Sequence, residues 1–129
     1  MLQTFRSLSF KRVAAIGIYV IILLGSSVPG KQIPKFFQLT PDKLIHCLEY
    51  FVLGFMLARW ANAEFETSGK RTIHAIILMI GATGGMIDEL YQNLIPNRSP
   101  DFYDWCLDTI GVILSIPAYT FWRIKIFQE

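Results

Sequence analysis

Four apolar runs, Val13–Val28, Leu44–Ala58, Ile73–Ile87 and Thr109–Trp122, each bounded by charge or proline, constrain this chain more than any other feature. None alone reaches the roughly 18 uninterrupted apolar residues that identify a membrane span. Each becomes long enough when adjoining polar positions are counted as interior-facing helix. The second run then starts near Pro41, the third ends near Ile95 and the fourth starts near Pro100. The competing reading is a soluble bundle of four buried helices. Such helices carry a polar stripe, whereas Val13–Leu24 is apolar on every side, so a bilayer is the better solvent.

The expected fold is therefore all-α, a four-helix transmembrane bundle. At 129 residues, with no long-period repeat, low-complexity tract or linker, the chain reads as a single domain over 1–129. Orientation follows from Lys and Arg, which stay cytoplasmic. Arg6, Lys11, Arg12, Arg59, Lys70, Arg71, Arg123 and Lys125 fall on one side, against Lys31, Lys35, Lys43 and Arg98 on the other. That bias puts both termini in the cytoplasm. The net charge of +2 then reports topology, and no nucleic-acid partner is expected. The amino end also has the form of a secretory signal, with small residues at Gly25-Ser26-Ser27. Retention is preferred, because Tyr19 and the turn Pro29-Gly30 suit a helix that stays and turns back.

Polar residues interrupt this apolar background at chosen places. Asp88-Glu89 follows the third run where the helical pattern has not ended, and an ionised side chain at bilayer depth costs roughly 2.5–3.5 kcal/mol. Thr40-Pro41-Asp42 and Ser99-Pro100-Asp101 look like matching helix starts, with an N-cap hydroxyl, proline at the first position and an acid in the first turn. Counted from Pro41, Pro96 and Pro100, the acids Glu49, Asp88 and Asp108 each lie eight residues in, at roughly 12 Å depth for a 1.5 Å rise. His46, Gln92 and Asp104 form a second tier, four or five residues in. Helical phase agrees: Asp42, His46 and Glu49 with Tyr50 beside them, Asp88 with Gln92, and Asp101, Asp104 and Asp108 each make one stripe. The pattern predicts a polar funnel open to the outer face, walled by helices two, three and four, with a featureless first helix behind it.

These residues resemble the VanZ-like membrane proteins. Asp42-Lys43, His46, Tyr50 and Leu53-Gly54 stand where that family carries D-K-x-x-H-x-x-x-Y-x-x-L-G. Asp88-Glu89, Gln92, Pro96 and Arg98 match its D-E-x-x-Q-x-x-x-P-x-R, and Asp104, Asp108-Thr109 and Gly111 match its third block. The resemblance covers roughly residues 40–115. It implies an integral, multi-pass protein of the bacterial inner (cytoplasmic) membrane and cell envelope, in a family named for an accessory role in antibiotic resistance to the glycopeptide teicoplanin. It implies no reaction.

The chemistry is argued from the cluster, and three uses stay open. One is binding or modifying an envelope component, such as an envelope lipid, a lipid-linked precursor or a glycopeptide. Asp42, Lys43, Glu49, Tyr50, Gln92, Arg98, Asp104 and Asp108 would line that site. Another is a metal-assisted or acid/base enzyme acting on a phosphate-containing lipid or lipid-linked precursor, in which His46 and Asp88 or Glu89 move protons. Several oxygens with one His suit Mg²⁺, Mn²⁺ or Ca²⁺ better than zinc. The third is a buried salt-bridge network that only fixes packing. Gly81 and Gly85 form a small-xxx-small face for close packing within the chain or for a homo-oligomer. Cys47 and Cys106 read as free thiols, and His74 as an interfacial residue.

Overall fold

The computed structural model describes residues 2–32 and 42–128, with side chains over 8–29, 31–32 and 43–126. Four long helices make up the described residues: α1 Leu2–Ser26, α2 Asp42–Glu64, α3 Lys70–Gln92 and α4 Phe102–Gln128. A single 3-10 turn follows α1 at Gly30–Gln32, and no strand occurs among the described residues. Every helix holds a stretch long and apolar enough to cross a membrane: Leu8–Ser26, Lys43–Glu64, Lys70–Gln92 and Phe102–Ile126. The 23 residues of α2 span roughly 35 Å, against about 30 Å of bilayer hydrocarbon.

Contacts at the helix ends show an antiparallel arrangement. Arg12 of α1 pairs with Glu64 of α2 at 2.7 Å, and Arg123 of α4 donates to Asn62 of α2 at 3.5 Å. The start of α1 and the end of α4 thus share one end, along with the end of α2. Ser26, Lys43, Asp88 and Asp101 meet at the other. Val13, Ile21, Met79 and Phe121 face outward, while Tyr50, Leu53, Leu57, Ile77, Val112 and Tyr119 are buried. Large apolar side chains on the outside fit a protein whose solvent is lipid.

Without a hydrophobic force between helices in lipid, association rests on close packing, and small residues permit it here. A Cβ on Gly81 would stand 2.5 Å from Val112 Cγ2, and one on Gly85 would stand 2.9 Å from Asp108 Oδ2. The Gly81/Gly85 face is therefore used inside the chain, against α4. Gly111 brings α4 onto α2, because a Cβ there would collide with the Cys47 carbonyl oxygen. Gly54 meets Ser115 in the same way. Both cysteines are free.

Two helix boundaries depart from expectation. α3 ends at Gln92, not near Ile95, because the residue before Pro96 is disfavoured in the helical region. The chain turns through Leu94 to Asn97, which adopts φ 60°, a left-handed conformation that asparagine tolerates. α4 begins at Phe102 and is capped by Asp101, whose Oδ1 accepts from the Tyr103 N–H at 2.8 Å. Ser99 is not the cap; the acid two residues later holds the free N–H. Thr40 and Pro41, expected to open α2, lie outside the described residues.

Candidate functional site

All four helices contribute to a polar cluster at one end of the bundle. On α2 the i, i+4 relation puts His46 and Tyr50 on one face, and both are buried. On α3 the same relation aligns Asp88 and Gln92, with Glu89 turned toward α4. On α4, Asp104 and Asp108 face inward. Asp88 and Asp108 are both 0% exposed. Counted from the helix ends, Asp88 lies four residues before Gln92 and Asp108 six after Phe102, roughly 6 and 9 Å in. Both acids thus lie within two turns of a helix end, because Pro96 and Pro100 stand outside the helices.

The cluster has two centres. In the first, His46 sits among three carboxylates: its Nδ1 is 3.0 Å from Asp108 Oδ1 and 3.9 Å from Glu89 Oε1, and its Nε2 is 4.0 Å from Asp104 Oδ2. In the second, Asp88 Oδ2 accepts from Ser26 Oγ at 2.9 Å and from Gln92 Nε2 at 3.4 Å. Gln92 Oε1 in turn accepts from Arg98 Nη1 at 3.4 Å. The left-handed Asn97 lets the chain fold back so that Arg98 reaches both Gln92 and the Val28 carbonyl, the latter at 3.2 Å.

Several buried polar atoms have no hydrogen-bond partner among the described residues: Tyr50 Oη, Asp88 Oδ1, Glu89 Oε1 and Asp108 Oδ2. Unpaired buried polar atoms are rare, since each carries a desolvation cost of about 1–3 kcal/mol. His46, Glu89 and Asp108 each offer one ligand atom, and these atoms lie within 4.8 Å of one another.

The rim carries the bases. Lys43 Nζ donates to Asp101 Oδ2 at 3.2 Å and stands 3.5 Å from Asp104 Oδ1. The backbone N–H of Tyr103, and then Lys43, hold the Asp101 carboxyl below the usual carboxylate range. Asp101 also positions α4 against α3, its own N–H donating to Glu89 Oε2 at 2.8 Å.

Of the residues expected at the site, His46, Tyr50, Asp88, Glu89, Gln92, Arg98, Lys43, Asp104 and Asp108 come together at this end. Glu49 is half-buried and makes no hydrogen bond or ion pair among the described residues. His46, one turn nearer the start of α2, takes the place beside Asp108 that the depth count assigns to Glu49. Asp42 opens α2, but its side chain lies outside the described residues. The first helix is not featureless. Ser26 is buried against Asp88, Ser27 Oγ lies 2.8 Å from Tyr91 Oη, and Tyr19 Oη donates to the Gly84 carbonyl at 3.0 Å. Small hydroxyls at the end of an apolar run were the available signal, and they fit a cleavage site or a turn equally well.

The model of the VanZ/LLP1 family matches residues 4–123. The match extends beyond the motif-bearing stretch to take in α1, whose Ser26 completes the environment of Asp88. No curated protein and no solved structure matches the chain. With four apolar helices long enough to span a bilayer, and a family match over nearly its whole length, this chain is a multi-pass membrane protein of the VanZ/LLP1 family.

Proposed function

We propose that the chain is a single-domain protein of the bacterial cytoplasmic membrane, with both termini in the cytoplasm and its polar end open to the outer face. There it binds or modifies an envelope component carrying a phosphate, such as a lipid headgroup or a lipid-linked precursor. The observation that carries this reading is the set of unpaired oxygens on Asp88, Glu89 and Asp108, buried at one end of a bundle of apolar helices. Ionisable groups within membrane spans are rare and costly, and they mark substrate or ion pathways. Arg98 and Lys43 at the rim supply positive charge to an arriving anion. A contribution to resistance against teicoplanin-type glycopeptides belongs to the same proposal.

A second reading, an acid/base enzyme on the same ligand class, is favoured by the 3.0 Å approach of His46 and Asp108. A carboxylate against one imidazole nitrogen orients the ring and stabilises its protonated form.

The test uses Asp88→Asn, Gln92→Ala and His46→Gln in cells whose glycopeptide susceptibility and envelope-stress response depend on the intact protein. All three variants are expected to fold and to lose the phenotype. Breaking a purely structural buried pair costs about 3–5 kcal/mol and reduces folded yield. Loss of folded protein in step with lost phenotype would reduce the cluster to a packing device.

A further inference from the structure

The proposed ligand is an anion, yet the interior of the site is acidic. Asp88, Glu89, Asp104 and Asp108 converge there, while the Lys43 and Arg98 side chains approach from the rim. A phosphate entering past that rim meets carboxylate oxygens, and repulsion between like charges grows as water is excluded. A cation held among those carboxylates would stand between them.

We infer that His46, Glu89 and Asp108 hold a divalent cation, with Mn²⁺ the best match. This rests on the reading of the polar end as a binding site and names the group that would meet the phosphate. Three observations support it. The ligand atoms lie within 4.8 Å of one another, and all three residues are buried. Adjacent ligands of an ion bound at about 2.1 Å stand about 3 Å apart, and opposite ligands about 4.2 Å. The separations of 3.0 Å from His46 Nδ1 to Asp108 Oδ1 and 3.9 Å to Glu89 Oε1 fall in that range.

The second observation is independent of the clustering. Glu89 is 5% exposed and its Oε1 has no hydrogen-bond partner, although Oε2 is fixed by the Asp101 N–H at 2.8 Å. One oxygen of the carboxylate is anchored and the other points at His46 with nothing to bind. Asp108, at 0% exposure, differs: its Oδ1 faces His46 Nδ1 at 3.0 Å, and its unpaired Oδ2 is turned toward Gly85 on α3.

The third is the surrounding layer. Asp104 Oδ2 stands 4.0 Å from His46 Nε2, on the far side of the ring from the proposed ion. That is too long for a hydrogen bond, but it is the side from which a carboxylate ordinarily binds the second nitrogen of a metal-bound histidine, fixing the tautomer and raising ligand basicity. The donor set of one imidazole and two carboxylates selects the metal. Oxygen ligands suit Mg²⁺, Ca²⁺ and Mn²⁺, and the imidazole favours the transition ion among them. Three protein ligands leave positions for water or for a phosphate oxygen.

The test is an electron paramagnetic resonance titration of the full chain, purified, stripped with chelator and placed in phosphatidylcholine nanodiscs. Wild type is expected to remove one Mn²⁺ per chain from the free six-line signal, and the bound ion should show nitrogen modulation. Glu89→Gln and Asp108→Asn should each weaken Kd by more than about tenfold, the lower range even for an outer-layer partner. His46→Gln should abolish the nitrogen modulation, and Glu66→Gln, an exposed acid at the other end, should change nothing. If Asp108→Asn does not fold, Glu89→Gln carries the test, since its Oε1 has no partner to lose. No saturable uptake by wild type, or uptake that persists in both carboxylate variants, would overturn the inference. Binding of short-chain phosphatidylglycerol, followed by phosphorus NMR with and without Mn²⁺, separates the two proposals. Lipid binding in chelator without Mn²⁺ uptake removes the metal and keeps the binding site; Mn²⁺ uptake with no effect on the lipid keeps the metal and removes the phosphate ligand.

Discussion

His46 Nδ1 stands 3.0 Å from Asp108 Oδ1 across the α2/α4 contact, and Gly111, three residues after Asp108, touches the carbonyl of Cys47, the residue after His46. A close backbone approach of α4 to α2 and the centre of the polar site are the same place. Packing and chemistry are coupled there, because any increase in the α2/α4 separation also pulls histidine from carboxylate.

Gly111→Ala tests that coupling. The added Cβ collides with backbone, which cannot rotate away, so the helices must separate. Overpacking of this kind costs about 1–3 kcal/mol. The expected outcome is a lower midpoint of thermal unfolding in detergent together with loss of function, while Gly17→Ala, with open space around it, changes neither.

Ser26→Ala tests whether α1 belongs to the site. Removing the hydroxyl leaves Asp88 Oδ2 with Gln92 alone, at 3.4 Å. A buried acceptor that loses its best donor costs about 1–3 kcal/mol. Unfolding is expected to shift by that amount, and an unchanged midpoint would return α1 to a purely apolar role.

Acid should loosen the start of α4. The Asp101 carboxyl lies below its ordinary value of 3.8 when folded, so its contribution is fully present above that value and is lost as pH falls through the lower folded one. Asp101→Asn keeps a side-chain cap but gives up the charge pairing with Lys43. The wild-type advantage in thermal midpoint over Asp101→Asn should therefore shrink as pH drops from about 5 to about 3. A gap that stays constant over that range would mean the carboxylate charge is not involved.

Orientation has a direct test. With Cys47 and Cys106 replaced, a single cysteine at Gln32 or Asn97 should react with a thiol reagent that cannot cross the membrane, while reporters at Met1 and Glu129 signal from the cytoplasm. Labelling at Asn97 only after the membrane is opened would reverse the orientation and the outward-facing site with it.

The number of helices, their class and their membrane character were legible in the sequence, because apolar runs bounded by charge and proline state which solvent each segment prefers. Helical spacing was enough to put His46 with Tyr50, Asp88 with Gln92 and Asp104 with Asp108, since the period of the helix is a local property. The partners across helices were not legible. Glu49 and His46 lie on one stripe of α2, and the choice between them depends on the axial offset of α2 against α4, which the Gly111–Cys47 contact sets. Ser26 sits 62 residues from Asp88, and nothing local distinguishes a serine that turns the chain from one that solvates a buried acid. Depth counted from prolines also failed on α3, because Pro96 lies beyond the end of the helix, in the turn that folds Arg98 back over Gln92. Sequence determined which residues could share a face; the tertiary packing decided which faces meet, because that depends on helix offsets fixed by steric contacts between residues distant in the chain.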